Sequence, residues 1–306
     1  ESWSREPPDM VHAHLWASGL AALTALRQSP SAARIPVLQT FHALETFDED
    51  TAAHRREWLR LEAAVARGVD RIAATSRREV ADLVLLGARR RDIDVIPHAV
   101  DTELFTPEGD RYPGRGLPRL VAVGPMVPET GFDVAIHALR GLSDAELLIA
   151  GGRPPGADKS WTLDAEPEAA RLRALATRHG VTDRVELLQL PPREELPALL
   201  RSADAVVCTP WHDTPGTTAI EAMACGRPVV GSAVAELLDV VIEGATGVLV
   251  PPRNPMALAR ALRELLHDPI RMDGFGLAAA DRARARHSWD RIADEIAQAY
   301  LRSVAA

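Results

Sequence analysis

Short apolar runs recur along this chain, and amphipathic stretches with helical spacing separate them. Over residues 10–13, 35–39, 70–74 and 93–96 the runs are apolar on both faces, so each predicted strand must be covered twice. A parallel sheet with helices on both sides meets that demand. Helices are predicted over 17–26, 54–67 and 77–86, the last closed by Gly87. Beyond residue 118 the same logic returns more fully. Strands are predicted over 120–123, 145–150, 185–188, 205–207, 229–230 and 248–250. Helices are predicted over 132–140, 168–179, 194–201, 217–225, 234–243 and 255–267. From 268 onward the chain reads as helical, with 289–304 as its last element. The fold class is therefore α/β and doubly wound.

Between the two parts lies a polar stretch, 106–118, whose YPGRGLP segment reads as a linker. At 306 residues the chain has the length of roughly two domains of ~150 residues. The expected division is 1–110 for the first domain, 111–285 for the second, and a final helix, 286–306, returning to the first. The first part holds fewer predicted strands and opens on a polar piece with a strand already in mid-domain. A doubly wound half normally begins with a strand and a Gly-rich turn. The N-terminal domain is therefore expected to be truncated.

Net charge is −8 and no Lys/Arg cluster dominates its surroundings, which argues against a nucleic-acid partner. The run Arg89-Arg90-Arg91 is followed by Asp92 and Asp94 and reads as a solvated turn. Cys208 and Cys225 read as thiols of a cytosolic core, too few for a disulfide framework or a thiolate metal site. No apolar run approaches the ~18 residues that span a membrane, and no apolar stretch follows Glu1 to Arg5 as a signal peptide would require. A soluble, cytoplasmic protein without a transmembrane segment is expected. The sequence is silent on oligomeric state.

The chemistry concentrates in 209–230, TPWHDTPGTTAIEAMACGRPVV. A strand ends at Cys208, a Pro/Gly loop follows, and a helix begins near Thr217. A helix N-terminus at the carboxyl edge of a sheet favours an anion. Gly216 lets backbone approach a ligand without a Cβ in the way, and Thr217 is expected to cap the helix and donate to a phosphate oxygen. Glu221 lies one turn further in, among Ala and Met. A carboxylate there is costly unless paired, and ribose hydroxyls are one candidate partner. A bond to a neighbouring loop is the other.

The full string resembles the signature of the family 4 retaining glycosyltransferases of the GT-B fold: an acid, seven residues, Glu, then Ala-Met-Ala-Cys-Gly-x-Pro-Val-Val. This chain has Asp213, seven residues, Glu221, then AMACGRPVV. The likeness extends through DMVHAHLW, VLQTFHAL, IDVIPHAVDTELFTP, RLVAVGPMVPETGFD and GATGVLVPPRNP. It implies two Rossmann-like doubly wound domains facing a cleft. It implies that Glu221 binds the nucleotide ribose and that Asp213 lies near the transferred sugar, where Glu is usual. Gly216 and Thr217 match backbone that meets sugar and diphosphate. His42 matches a histidine that faces the sugar from the N-domain, although alone it could be a capping or core residue. His12 and His14 read as structural or supporting.

Two departures matter. The family usually has Arg after the glycine matched by Gly124, and Lys before the glycine further on. Here those positions are Pro125 and Thr130. The usual cations neutralise the donor diphosphate, and preorganised charge of this kind is a large catalytic term. Arg153 or Arg227 could substitute. Ala99, where Gly is usual, is a milder change.

The resemblance implies transfer of a sugar from a nucleoside-diphosphate donor to an acceptor hydroxyl, with retained configuration and no metal or other cofactor. The rival expectation is a catalytically impaired nucleotide-sugar-binding or scaffolding subunit. A sugar-nucleotide epimerase shares the fold but fits 209–231 less well. Acceptor, base and sugar are not legible.

Overall fold

The computed structural model describes residues 7–28, 35–42, 44, 52–154, 156–157, 160–212 and 216–304. The chain forms two compact units, Glu1–His98 with Asp290–Ala306, and Ala99–Trp289.

The first unit holds a parallel sheet of β1 (Val11–His14), β2 (Val37–Thr40), β3 (Arg71–Ala74) and β4 (Ile93–Val95), lying side by side in chain order. Helices α1 (Leu15–Gln28), α2 (Ala52–Gly68) and α3 (Arg77–Leu85) connect them. Its core gathers Val37, Phe41, Val65, Ile72 and Leu83. Local chemistry sets the start of α3. The Ser76 side chain accepts the Glu79 N–H at 3.1 Å, and the Glu79 carboxylate accepts the Thr75 N–H in return, a variant of the reciprocal N-terminal cap.

The second unit holds β5 (Arg119–Pro125), β6 (Glu146–Gly152), β7 (Val185–Gln189), β8 (Ala205–Cys208), β9 (Val229–Ser232) and β10 (Gly247–Val250). All pair in parallel, in the order β10-β9-β8-β5-β6-β7. Strand periodicity sorts the core into two layers. Leu120, Ala122, Leu147 and Ile149 face α4 (Phe132–Leu139), α5 (Pro167–Arg178) and α9 (Pro255–Leu266). Val121, Leu148 and Ala150 face α6 (Leu196–Arg201), α7 (Thr217–Ala224), α8 (Ala235–Val240) and α10 (Pro269–His287). The last helix, α11 (Trp289–Val304), lies almost wholly in the first unit, where Tyr300 reaches His12 and Arg302 pairs with Asp94.

The polar stretch 106–118 belongs to the second unit. Buried Arg201 requires acceptors and takes the carbonyls of Asp110 and Thr106, at 2.8 and 3.2 Å. Tyr112 N–H donates to the Ala198 carbonyl at 2.9 Å. The division between the units therefore falls upstream of this stretch. At the amino ends of β5 and β6, Arg119 and Glu146 form a buried ion pair at 2.7 Å.

Candidate functional site

From β5 the second sheet grows outward through β6 to β7. It then returns to lay β8, β9 and β10 on the other side of β5. Connections leave β5 and β8 in opposite directions, which opens a crevice beyond their carboxyl ends. A cavity of about 320 Å³ occupies that place, with Gly124, Pro125, Thr130, Cys208, Thr217 and Thr218 in its wall.

Two loops that frame the cavity are stitched together. Gly131 sits at φ 73°, and a Cβ there would lie 1.9 Å from the Thr209 carbonyl oxygen. Thr209 Oγ1 donates to the Gly131 carbonyl at 2.8 Å, and Trp211 N–H donates to the Glu129 carbonyl at 3.0 Å. Thr130 turns back on its own loop, its Oγ1 donating to the Pro125 carbonyl at 2.7 Å. Its methyl group lies 2.7 Å from where a Cβ on residue 124 would stand, which explains the glycine there. Neither Pro125 nor Thr130 brings a cation to this wall.

Helix α7 begins at Thr217, with Gly216 as its N-cap residue and no side-chain cap. Thr217 therefore does not cap the helix as expected, because it already lies inside the first turn. The Gly216 N–H donates to Glu236 Oε2 of α8 at 2.8 Å. The next amides, of Thr217 and Thr218, are among the first in the helix and have no partner within it. Thr217 and Thr218 line the cavity near the positive end of the helix. The Gly216 N–H is thus already taken by the Glu236 carboxylate, one residue before those amides.

Glu221 is buried on α7. Its carboxylate meets Arg193 Nη1 at 2.8 Å, and that guanidinium lies over the Phe105 ring, 4.9 Å from its centroid. Burial pushes the Glu221 carboxyl above the ordinary glutamate range, and Arg193 pulls it part of the way back. Of the two arginines considered as replacement cations, Arg227 is at the wrong edge. It precedes β9 and donates to the Ala203 and Cys225 carbonyls, at 3.2 and 3.4 Å. Arg153 is exposed and follows β6 at the carboxyl edge. A third arginine, Arg253, follows β10 at that same edge and stacks 4.5 Å over the Trp211 ring. Both cysteines are free, and burial raises each thiol to about 12. Asp213 lies outside the described residues.

His42 stands in the first unit, just beyond β2, at φ 66°. Its Nε2 meets His14 Nδ1 at 2.8 Å, with the rings stacked at 5.0 Å. One of the two must donate and the other accept, so the pair shares a single proton. Burial, then His14 and His98, lowers the His42 pKa. His12 bridges Tyr300 Oη and Thr40 Oγ1, each at 2.9 Å. Burial and then His14 and His42 push it down to about 4. Sequence reasoning missed Arg193 and Glu236 as neighbours of α7. Nothing local signals them, since Arg193 lies in a loop after β7 and reads as a solvated charge. Among the described residues no group of three or more His, Cys, Asp or Glu could hold a metal ion, and no helix is long and apolar enough to cross a membrane.

Two family models match the chain: Glycosyl transferases group 1 over residues 114–282, and Glycosyltransferase Family 4 over residues 1–104. D-inositol 3-phosphate glycosyltransferase 1 of Catenulispora acidiphila is 32% identical over 97% of this chain and 72% of its own length. The D-inositol 3-phosphate glycosyltransferase of Mycobacteroides abscessus is 36% identical over 97% of this chain and 66% of its own length. Among solved structures, sucrose-phosphate synthase from Thermosynechococcus elongatus superposes with a TM-score of 0.86 at 27% identity, covering 99% of this chain and 76% of that one. HepE of Anabaena, solved with UDP, shares the fold at a TM-score of 0.82 and 20% identity, over 97% of this chain and 79% of that one. A sheet reversal at β5 and β8, a buried Glu221 on the helix beside it, and family matches to both units agree: the chain belongs to the group 1, family 4 glycosyltransferases of the GT-B fold.

Proposed function

We propose that this chain transfers a sugar from a nucleoside-diphosphate donor to an acceptor hydroxyl, with the anomeric configuration retained and no metal required. The observation that carries the reading is Glu221, a carboxylate buried one turn into a helix whose open N-terminus lines the switch-point cavity. The Thr217 and Thr218 amides receive the diphosphate. Glu221 accepts the ribose hydroxyls, and Gly124 lets the β5 loop come close to the donor. The bond from the sugar's anomeric carbon to the phosphate oxygen breaks, and a bond to the acceptor oxygen forms. The acceptor's proton passes to the leaving phosphate. Asp213 and His42 are assigned to the sugar.

Purified protein incubated with UDP-glucose, UDP-N-acetylglucosamine or GDP-mannose tests this by nucleotide release. D-inositol 3-phosphate is the first acceptor to try, because relatives at 32% and 36% identity carry it in their names. The expected result is acceptor-dependent release of one nucleotide and a product of unchanged anomeric configuration by NMR. The absence of both nucleotide release and binding with every donor would sink the proposal.

One set of observations favours a second reading, binding without efficient turnover. Pro125 and Thr130 place no cation on the cavity wall, and the Glu236 carboxylate stands at the mouth of α7. Loss of one preorganised charge donor costs on the order of 10²–10³ in rate. Tight nucleotide binding without turnover, relieved by Pro125→Arg with Thr130→Lys, would establish this second reading.

A further inference from the structure

Helix α7 is lined by Ala219, Ile220, Ala222, Met223 and Ala224, all buried, and the one charge among them is Glu221. A lone carboxylate in such a place is costly, and a charge-assisted hydrogen bond offsets much of that cost. Arg193 supplies the bond from the loop after β7, a separate element at the same carboxyl edge of the sheet. Its side chain is 51% exposed, whereas that of Glu221 is 9% exposed. The arginine side chain is thus the more solvent-accessible partner of the pair. The Phe105 ring beneath it limits how far it can swing. Among the described residues Arg193 engages Oε1 of Glu221 through Nη1, and an ionised carboxylate accepts about four hydrogen bonds. The carboxylate keeps acceptor capacity for hydroxyl donors while Arg193 stays in place.

We propose that Arg193 is a positioning residue that holds the Glu221 carboxylate in the orientation that receives the ribose hydroxyls of the donor nucleotide. The inference rests on the reading of Glu221 as the ribose acid. Arg193 acts through Glu221. It fixes the rotamer before the nucleotide arrives and keeps the acid in the form that accepts hydrogen bonds. Other charged or titratable groups near α7 include Cys208 on β8 and Cys225 at the end of α7, thiols pushed up to about 12. Arg201 on α6 is bound to the Asp110 and Thr106 carbonyls, and Arg227 to the Ala203 carbonyl. Glu236 on α8 accepts from Gly216, and Arg282 on α10 donates to the Val240 and Asp239 carbonyls.

Calorimetric titration of the full chain with UDP, GDP and ADP, repeated from about pH 8 to about pH 5.5, tests the proposal with Arg193→Gln, Arg193→Lys and Glu221→Gln. For the nucleotide that binds wild type best, Arg193→Gln is expected to bind roughly tenfold more weakly. Its affinity should also fall more steeply toward low pH, because the Glu221 carboxyl, raised by burial, loses the cation that opposes the rise. Arg193→Lys keeps the charge without the planar fork, so it should restore the wild-type pH profile and only part of the affinity. In a Glu221→Gln background, Arg193→Gln should add nothing further. Wild-type affinity and a parallel pH profile in Arg193→Gln would overturn the role of Arg193 and leave the donor site standing. Failure of all three nucleotides to bind wild type would instead overturn the donor site and this inference with it. Thermal unfolding of each variant separates a lost fold from a lost contact.

Discussion

The two sheets differ in how their strands are laid down, and that difference decides where each unit keeps its polar groups. In the second sheet the chain reverses between β5 and β8, so a crevice opens at the reversal and α7 points its N-terminus into it. In the first sheet β1 to β4 follow one another in order, with no reversal among the described residues. A linked group of polar side chains, His12, His14, Thr40 and His42, spans β1, the end of β2 and the residues just past it.

The sharpest way to break the comparison is to damage one sheet and watch the other. Glu146→Ala leaves the buried Arg119 guanidinium without its carboxylate and should destabilise the second unit by about 3–5 kcal/mol. Hydrogen exchange should accelerate in peptides over 119–125 and not over 37–40. Equal acceleration in both would mean that the units do not carry separate cores. Gly131→Ala strikes the crevice itself, through a left-handed backbone and a clash with the Thr209 carbonyl. It should cost about 1–3 kcal/mol by urea unfolding and weaken nucleotide binding, because the two loops framing the cavity separate.

A third expected effect belongs to the first unit and is a pH dependence. His12 titrates at 6.5 when unfolded and at about 4 when folded. The unfolded chain gains the proton first as the pH falls, so the first unit loses stability between 6.5 and about 4 and regains it as the pH rises. His12→Asn should flatten that slope in urea titrations read by exchange of peptides over 37–40. An unchanged slope would assign the pH dependence to other groups.

Much of this was legible in the sequence, for identifiable reasons. Strands buried on both faces leave unbroken apolar runs, so the predicted strands lie where the structure places them to within a few residues. The buried charge of Glu221 stood out because it violates the Ala/Met pattern around it, and of its two candidate partners the structure shows the loop bond, to Arg193. Other features left no such trace. Residues 106–118 read as a linker because their own composition is polar, while the Arg201 side chain that binds them lies far along the chain. Arg193 and Glu236 carry no local sequence signal, and only the fold brings them to α7. Thr130 was read for the cation it lacks, while its hydroxyl turns out to close the β5 loop.

The central claim is that the crevice between β5 and β8 binds a nucleotide through Glu221. Calorimetric titration of wild type and Glu221→Gln with UDP, GDP and ADP tests it most directly. Loss of charge-assisted bonds to two ribose hydroxyls should cost about 2 kcal/mol, roughly a thirtyfold weaker Kd for the nucleotide that wild type prefers. Equal affinity of the two proteins for that nucleotide would contradict the claim.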